Sequence, residues 1–471
     1  PLSTEQTPPM SETFDVVIIG TGPAGEIVGE RAVKAGLTAV VVERDLVGGE
    51  CSYWACMPSK ALLRPGEALR AVRRVPGARE AVTGEIDLVE ALKRRDSMIS
   101  DLDDKWQVKW LDDTNISLIR GHARITGEKF VEVTHEDGSV TEVVASKAVV
   151  IATGSISASP PIPGLAESEP WDSRVITNLA EPPESLIIIG GGVVGVEMAQ
   201  AWKDLGTKDV TIVERESRLL AREEAFAGEY IQKVFTEQYG IKVLTEADCT
   251  KVERENGKAV ITCDGTRIEA DEILVATGRR ANTSDIGLDK VGLEPGGFVS
   301  VDDQMRVTAV DGGWLFAVGD ANGRSLLTHD GKYQARIAGD VIGGIDIHAY
   351  GDVMASPRVV FTDPNVAAVG LTEAAATEKG LNVKTVEYGF GWTAGAATFA
   401  EGIEGKVRIV VDEDSRTIVG ATFVGPGSGE MLHAATIAIV SKITLDDLWH
   451  ATPAFPTISE FWLRLLEAYG L

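Results

Sequence analysis

The chain has 471 residues, 45 Lys and Arg against 71 Asp and Glu, and a formal net charge of −26. A surface that acidic repels phosphate backbones and anionic lipid, so nucleic acid and a membrane surface are poor partners, and no apolar run approaches the roughly 18 residues needed to cross a bilayer. At 44% hydrophobic and 25% charged, the composition is that of a globular protein, expected to be soluble and cytoplasmic and long enough for about three or four domains.

Residues 1–13 are polar and Pro-rich, without the basic and apolar regions of a secretory signal, and are expected to form a flexible tail. The β-branched run Phe14 to Ile19 follows and opens into Gly20-x-Gly22-x-x-Gly25, a helical pattern, and a second strand, Ala39 to Val42, closing on Glu43. The same module returns later. Ser185 to Ile189 leads into Gly190-x-Gly192-x-x-Gly195, and a strand from Val210 closes on Glu214.

Each module reads as strand, tight turn, helix and acid, the fingerprint of a dinucleotide-binding fold. Gly20 and Gly190 permit the turn. Gly22 and Gly192 let a pyrophosphate approach the backbone, and Gly25 and Gly195 let helix and strand pack closely. The helix N-terminus offers unpaired N–H groups and a partial positive charge to the phosphates. Glu43 and Glu214 can accept hydrogen bonds from ribose hydroxyls. A carboxylate at Glu214 disfavours the extra phosphate of NADPH, so NADH is expected, with NADPH left open by the nearby Arg215 and Arg218.

Between the modules lies Gly48-Gly49-Glu50-Cys51-Ser52-Tyr53-Trp54-Ala55-Cys56-Met57-Pro58-Ser59-Lys60. Two cysteines beside a nucleotide fingerprint, in a chain with only four, point to an exchangeable dithiol and disulfide rather than a framework staple. A metal site needs more ligands than the segment offers. Five helical residues rise about 7.5 Å, beyond the roughly 4.4–6.8 Å between α-carbons of most disulfides, so the segment must bend. Cys51 is expected in an irregular turn, with a helix established by Pro58 or Ser59. Cys249 and Cys263 read as small core hydrophobes.

Further strands end on small residues at Ala152-Thr153-Gly154 and Ala276-Thr277-Gly278. The run Leu315 to Val318 ends at Gly319-Asp320, where a carboxylate can hold the sugar-alcohol chain of a flavin. Gly49, Thr153, Gly154, Gly278 and Asp320 join the cofactor-binding candidates. His329 and His433 are expected to be structural.

With these motifs the chain resembles the flavoprotein disulfide reductases of the pyridine nucleotide-disulfide oxidoreductase family, which include dihydrolipoamide dehydrogenase, glutathione reductase and mercuric reductase. Ser356 to Pro364 and Val369 to Glu373 resemble the opening of that family's dimerisation domain. The resemblance implies an α/β architecture of two Rossmann-like FAD and NAD domains plus an α+β dimerisation domain. Its expected boundaries are 14–150 and 280–350 for FAD, 151–279 for NAD(P), and 351–471 for the interface of a homodimer.

It also implies an activity: a nicotinamide hydride reduces the flavin, electrons pass to the disulfide, and the dithiol reduces a small-molecule disulfide or other thiol-reactive substrate. A quinone or metal acceptor reached through the flavin is the alternative. By motif position Cys56 is nearer the flavin, Cys51 attacks the substrate, and Lys60 and Glu197 form an ion pair near the flavin. The chain departs from the family at Phe455-Pro456-Thr457-Ile458-Ser459-Glu460. There Phe455 takes the place of the histidine that serves as general acid and base, while its orienting Glu460 remains. Phenylalanine transfers no proton, and His450 is too early in the chain to replace it.

Overall fold

The computed structural model describes residues 10–471. These fall into two compact units, one from the residues up to Cys56 with Ile99–Ile156 and Arg279–Val353, the other from Met57–Met98, Ser157–Gly278 and Met354–Leu471.

The first unit is built on a sheet in the order Ser117–Arg120, Ala39–Glu43, Met10–Ile19, Val140–Ile151, Phe130–Thr134, His122–Gly127, with Leu315–Ala317 also pairing onto Val140–Ile151. The strands around Met10–Ile19 are parallel, and Val16, Val17 and Ile18 are wholly buried. Burial of both faces is what makes a strand read as a continuous β-branched run. The sequence expectation of a tail through Thr13 is corrected here. Met10 to Phe14 are strand, in register with Thr141 to Ala145, because the long partner strand satisfies their backbone groups. The rest of the expected tail, residues 1–9, lies outside the described residues.

The helix Pro23–Lys34 starts with proline at its first turn, where the missing N–H costs nothing. It packs parallel to the helix Thr328–Ile342. At one end a side chain on Gly319 would meet Ala24 and Gly331 sits beside it. Further along, Arg31 clamps Asp340 with two bonds of 2.7 and 2.5 Å. Gly339 is required at this crossing, since a Cβ there would lie 2.4 Å from that of Arg31.

The second unit holds a parallel sheet ordered Lys242–Leu244, Asp209–Val213, Ser185–Ile189, Glu272–Val275, and a three-stranded antiparallel meander, Cys249–Glu255, Lys258–Cys263, Thr266–Ala270. It also holds a five-stranded antiparallel sheet, Pro357–Val360, Asn365–Gly370, Thr417–Gly425, Lys406–Asp412, Val383–Gly389. One apolar core joins Leu62, Trp202, Phe235, Val360 and Val424, and Arg70 bonds Asp204 at 2.8 Å and Asp363 at 2.7 Å.

Those contacts change the domain boundaries expected from sequence. Residues 57–98 pack with the second nucleotide fold rather than with the FAD-type sheet, and the nucleotide fold and C-terminal segment form one unit. The fold class stands, with two Rossmann-like sheets and an α+β part. Among the described residues no helix is long and apolar enough to cross a membrane.

Candidate active site

The two glycine fingerprints have the same geometry. A Cβ on Gly20 would come within 2.5 Å of the Ala152 carbonyl oxygen, and one on Gly25 within 2.1 Å of the Gly20 oxygen. In the second module Gly190 would meet Ala276 at 2.4 Å and Gly195 would meet Gly190 at 2.0 Å. Only the middle glycines, Gly22 and Gly192, face open space, as a backbone awaiting a pyrophosphate should.

The terminal acids tie these loops down. Glu43 accepts from the Thr21 amide at 2.9 Å and its hydroxyl at 2.6 Å, and from the Asp45 amide at 2.8 Å. Glu214 accepts from the Gly191 amide at 2.5 Å and the Glu216 amide at 2.8 Å. Each carboxylate thus braces the glycine loop from the strand tip where a ribose would reach it. Arg218 donates from Nη2 to the carbonyls of Ala221 and Glu223, its Nε being buried without a partner, and Arg215 is 88% exposed.

In the first unit Asp320 accepts from the Ser155 hydroxyl at 2.5 Å, and burial pushes its carboxyl above the ordinary range. Arg279 donates to the Ser155 hydroxyl and carbonyl. Gly154 has a left-handed backbone, φ +68°, and the neighbouring Thr153 hydroxyl is buried without a partner. An orphaned hydroxyl is costly unless something bonds it. Gly278, in the second unit, also has positive φ and open space before it.

Cys51 lies in a short helix, Gly49–Tyr53, not the irregular turn expected. The chain then breaks at Trp54, with φ −134° and ψ 1°, and the next helix begins at Cys56 itself rather than at Pro58 or Ser59. The bend required by the disulfide argument is this break. Gly49, with φ +65°, presses on the first fingerprint so closely that its Cβ would stand 2.8 Å from the Gly22 Cα.

Cys51 and Cys56 stand as thiols, hydrogen-bonded to each other. The Cys56 sulfur is 3.4 Å from the Thr328 hydroxyl. The hydrogen bond to Cys56, and after it burial, push the Cys51 thiol up: two sulfurs sharing a proton give up the last one reluctantly.

In the second unit Lys60 and Glu197 form the expected ion pair at 2.8 Å. The other Glu197 oxygen accepts from the Phe361 amide at 2.9 Å, and Lys60 lies over the Phe361 ring at 4.9 Å. Helix Val193–Asp204 places Glu197 one turn beyond the fingerprint. Further along the chain Phe455 is 75% exposed and precedes a cis proline. Glu460 is buried, with one oxygen accepting from Arg464 at 2.6 Å and the other without a partner.

One expectation changes. Cys249 and Cys263 are bonded to each other, because they face one another directly across two antiparallel strands; they still pack in an apolar cluster. His329 and His433 are exposed. His450 is also exposed, just past the helix Leu445–Trp449. Sequence reading missed Thr328, Ser155 and Arg279, none of which stood inside a recognised motif.

The model of the pyridine nucleotide-disulphide oxidoreductases matches residues 14–335, and the dimerisation domain of the same group matches 356–465. The chain belongs to this family. Among its relatives, dihydrolipoyl dehydrogenase of Chlorobaculum tepidum is 34% identical over 97% of both chains. That of Chlamydia trachomatis is 32% identical over 96% of both. A mercuric reductase of Lysinibacillus sphaericus is 31% identical over 95% of this chain and 81% of its own.

Among solved structures, the Cu(II) complex of the HOCl-induced flavoprotein disulfide reductase RclA from Escherichia coli superposes with a TM-score of 0.85 at 25% identity, covering 97% of this chain and 99% of its own. This pyridine nucleotide-disulphide oxidoreductase is therefore an enzyme of the flavoprotein disulfide reductase type, using FAD and NAD(P)H. Its residues fit those groups: the middle glycine of each fingerprint is open, and the partnerless Thr153 hydroxyl borders the first.

Proposed function

We propose that Cys51 and Cys56 are the redox couple of a homodimeric, cytoplasmic, NADH-preferring enzyme that reduces a disulfide or another thiol-reactive electrophile. Bound FAD and pyridine nucleotide supply the two-electron reduction that reopens the Cys51–Cys56 disulfide. The Cys51 thiolate then attacks one sulfur of the substrate, its S–S bond breaks, and the first product leaves as a thiolate that takes its proton from solvent. Cys56 attacks the Cys51 sulfur, releases the second thiol, and closes the protein disulfide. One substrate disulfide gains two electrons, and the protein couple loses two.

The remaining roles follow from position. Gly20, Gly22, Gly25, Gly49, Glu43, Thr153, Gly154 and Asp320 hold the FAD. Gly190, Gly192, Gly195, Glu214 and Gly278 hold the nicotinamide nucleotide. The Glu214 carboxylate and the occupied Arg218 guanidinium support NADH over NADPH. Lys60 and Glu197 supply a fixed charge pair, and Phe455 leaves the thiol exchange without the usual proton carrier. The observation that carries the reading is the contact of Gly49 with Gly22, which puts the Cys51 helix against the nucleotide loop.

Cys51→Ala tests it, with purified yellow enzyme and NADH against disulfides, Hg(II) and quinones. Loss of turnover with disulfides and Hg(II) is the expected result. Turnover that survives unchanged would mean direct transfer from flavin to a quinone or metal acceptor.

A further inference from the structure

Resting on the reading of Asp320 as a residue that holds the FAD, we propose that Gln334 is a positioning residue for that site. Its buried side-chain amide, backed by the Asp352–Arg324 pair, sets the turn that presents the Asp320 carboxylate beside the first glycine fingerprint.

The turn begins where the strand Leu315–Ala317 leaves the sheet. The Val318 amide still bonds the Ile151 carbonyl at 3.0 Å, and Gly319 then takes a left-handed backbone, φ +68°. The fingerprint helix closes one face of Gly319, since a Cβ there would stand 3.3 Å from that of Ala24, which lies between Gly22 and Gly25. The Gly319 N–H is left in a buried place, where an amide without an acceptor is costly.

Gln334 supplies the acceptor. It is wholly buried in the helix Thr328–Ile342, and its Oε1 accepts from the Gly319 amide at 2.9 Å and from the Asn322 side-chain amide at 2.8 Å. Asn322 in turn donates to the Ala317 carbonyl at 3.1 Å and accepts from the Arg324 amide at 3.0 Å. Both ends of the turn are thus tied to one side-chain oxygen, with Asp320 between them.

The other end of the Gln334 amide is fixed as well. Its Nε2 donates to Asp352 at 3.0 Å, and the buried Asp352 carboxylate takes the Arg324 guanidinium through both oxygens, at 2.8 and 2.9 Å. An ionised carboxylate only accepts, so Asp352 holds the nitrogen of Gln334 toward itself and leaves the oxygen for Gly319. The Asp320 carboxylate is gripped separately, by the Ser155 hydroxyl at 2.5 Å, and Gln334 acts on it through the backbone of the turn. A satisfied buried polar network fixes one geometry where apolar packing tolerates several. That is what a carboxylate aimed at a sugar-alcohol chain requires.

The test follows FAD leaving the holoenzyme. Flavin fluorescence on dilution gives the FAD dissociation constant, and melting curves of the holoenzyme and of the FAD-free form are recorded beside it. Gln334→Met should weaken FAD binding by about tenfold, the scale of one buried hydrogen bond. Gln334→Glu should weaken it too, because it sets a second carboxylate against Asp352. Joining Gln334→Glu with Asp352→Asn exchanges donor and acceptor at unchanged net charge, and should bring FAD affinity back to within about twofold of the wild type.

Unchanged FAD affinity in Gln334→Glu, in an enzyme that loses FAD on Asp320→Ala, overturns the proposal. So does an affinity that falls only in step with the melting temperature of the FAD-free form and is not recovered by the exchanged pair, the result of a merely structural role. The exchanged pair carries the test by itself if Gln334→Met fails to fold. Asp320→Ala that binds FAD as tightly as the wild type overturns the reading of Asp320, and the proposal with it.

Discussion

Cys51 and Cys56 sit at the break between two helices, half-buried, with a hydroxyl at 3.4 Å and a nucleotide loop behind them. Cys249 and Cys263 face each other across a hairpin, already joined and packed among Leu165, Val252 and Ile261. The first pair sits beside polar groups: each sulfur faces the other, and Cys56 faces the Thr328 hydroxyl. The second is surrounded by aliphatic side chains. Reactivity depends on thiolate stabilisation and access, so the same chemical element is a reagent in one place and a staple in the other.

The largest expected effect separates the pairs directly. Cys51→Ala should lower turnover with a disulfide substrate by about 1,000-fold or more, as loss of a covalent nucleophile does, whereas Cys249→Ser with Cys263→Ser should leave turnover within about twofold. Equal losses in steady-state assays of both would erase the distinction.

The staple should show itself in stability instead. The cysteines are separated by 14 residues in sequence, and closing a loop of about that size contributes about 3 kcal/mol. Denaturant unfolding of the double serine variant should reveal a loss of that order, and an unchanged midpoint would speak against it.

The third prediction addresses what the reactive pair lacks. Phe455→His should raise reduction of lipoamide or glutathione disulfide by about 100-fold, the lower range for a general acid or base, because the chain keeps Glu460 with one oxygen unpartnered. Unchanged rates would show that proton transfer does not limit the exchange.

The smallest effect comes from an acid in the first turn of the fingerprint helix, Glu26. Glu26 titrates at about 7 in the fold against 4.5 for the free side chain, so the folded chain keeps a proton that the unfolded chain releases. The resulting destabilisation is absent below pH 4.5, grows between 4.5 and 7, and is full above 7. Glu26→Gln should therefore stabilise the protein by roughly 2 kcal/mol above pH 7 and leave it unchanged at pH 4. Melting curves at both pH values check the sign.

How much of this was legible in the sequence depends on how local each feature is. The glycine fingerprints, the acids that close them and the Cys51–Cys56 segment are written in short runs, and the structure gives each glycine a separate steric reason. The Lys60–Glu197 pair came from motif position and is formed. The Cys249–Cys263 bond was missed because strand register across a hairpin decides it, and two isolated cysteines carry no mark of that register. The strand at Met10–Phe14 was missed because its partner lies beyond residue 140. Thr328 was missed because it lies far along the chain from Cys56 and only the fold brings its hydroxyl to that sulfur.

Anaerobic titration of the enzyme with NADH, with every thiol trapped and mapped, tests the central claim most directly. The account predicts uptake of about four electrons per chain, two of them appearing as new thiols at Cys51 and Cys56, while Cys249 and Cys263 stay joined. Uptake of only about two electrons with no new thiol, or thiols that appear at Cys249 and Cys263 instead, would contradict it.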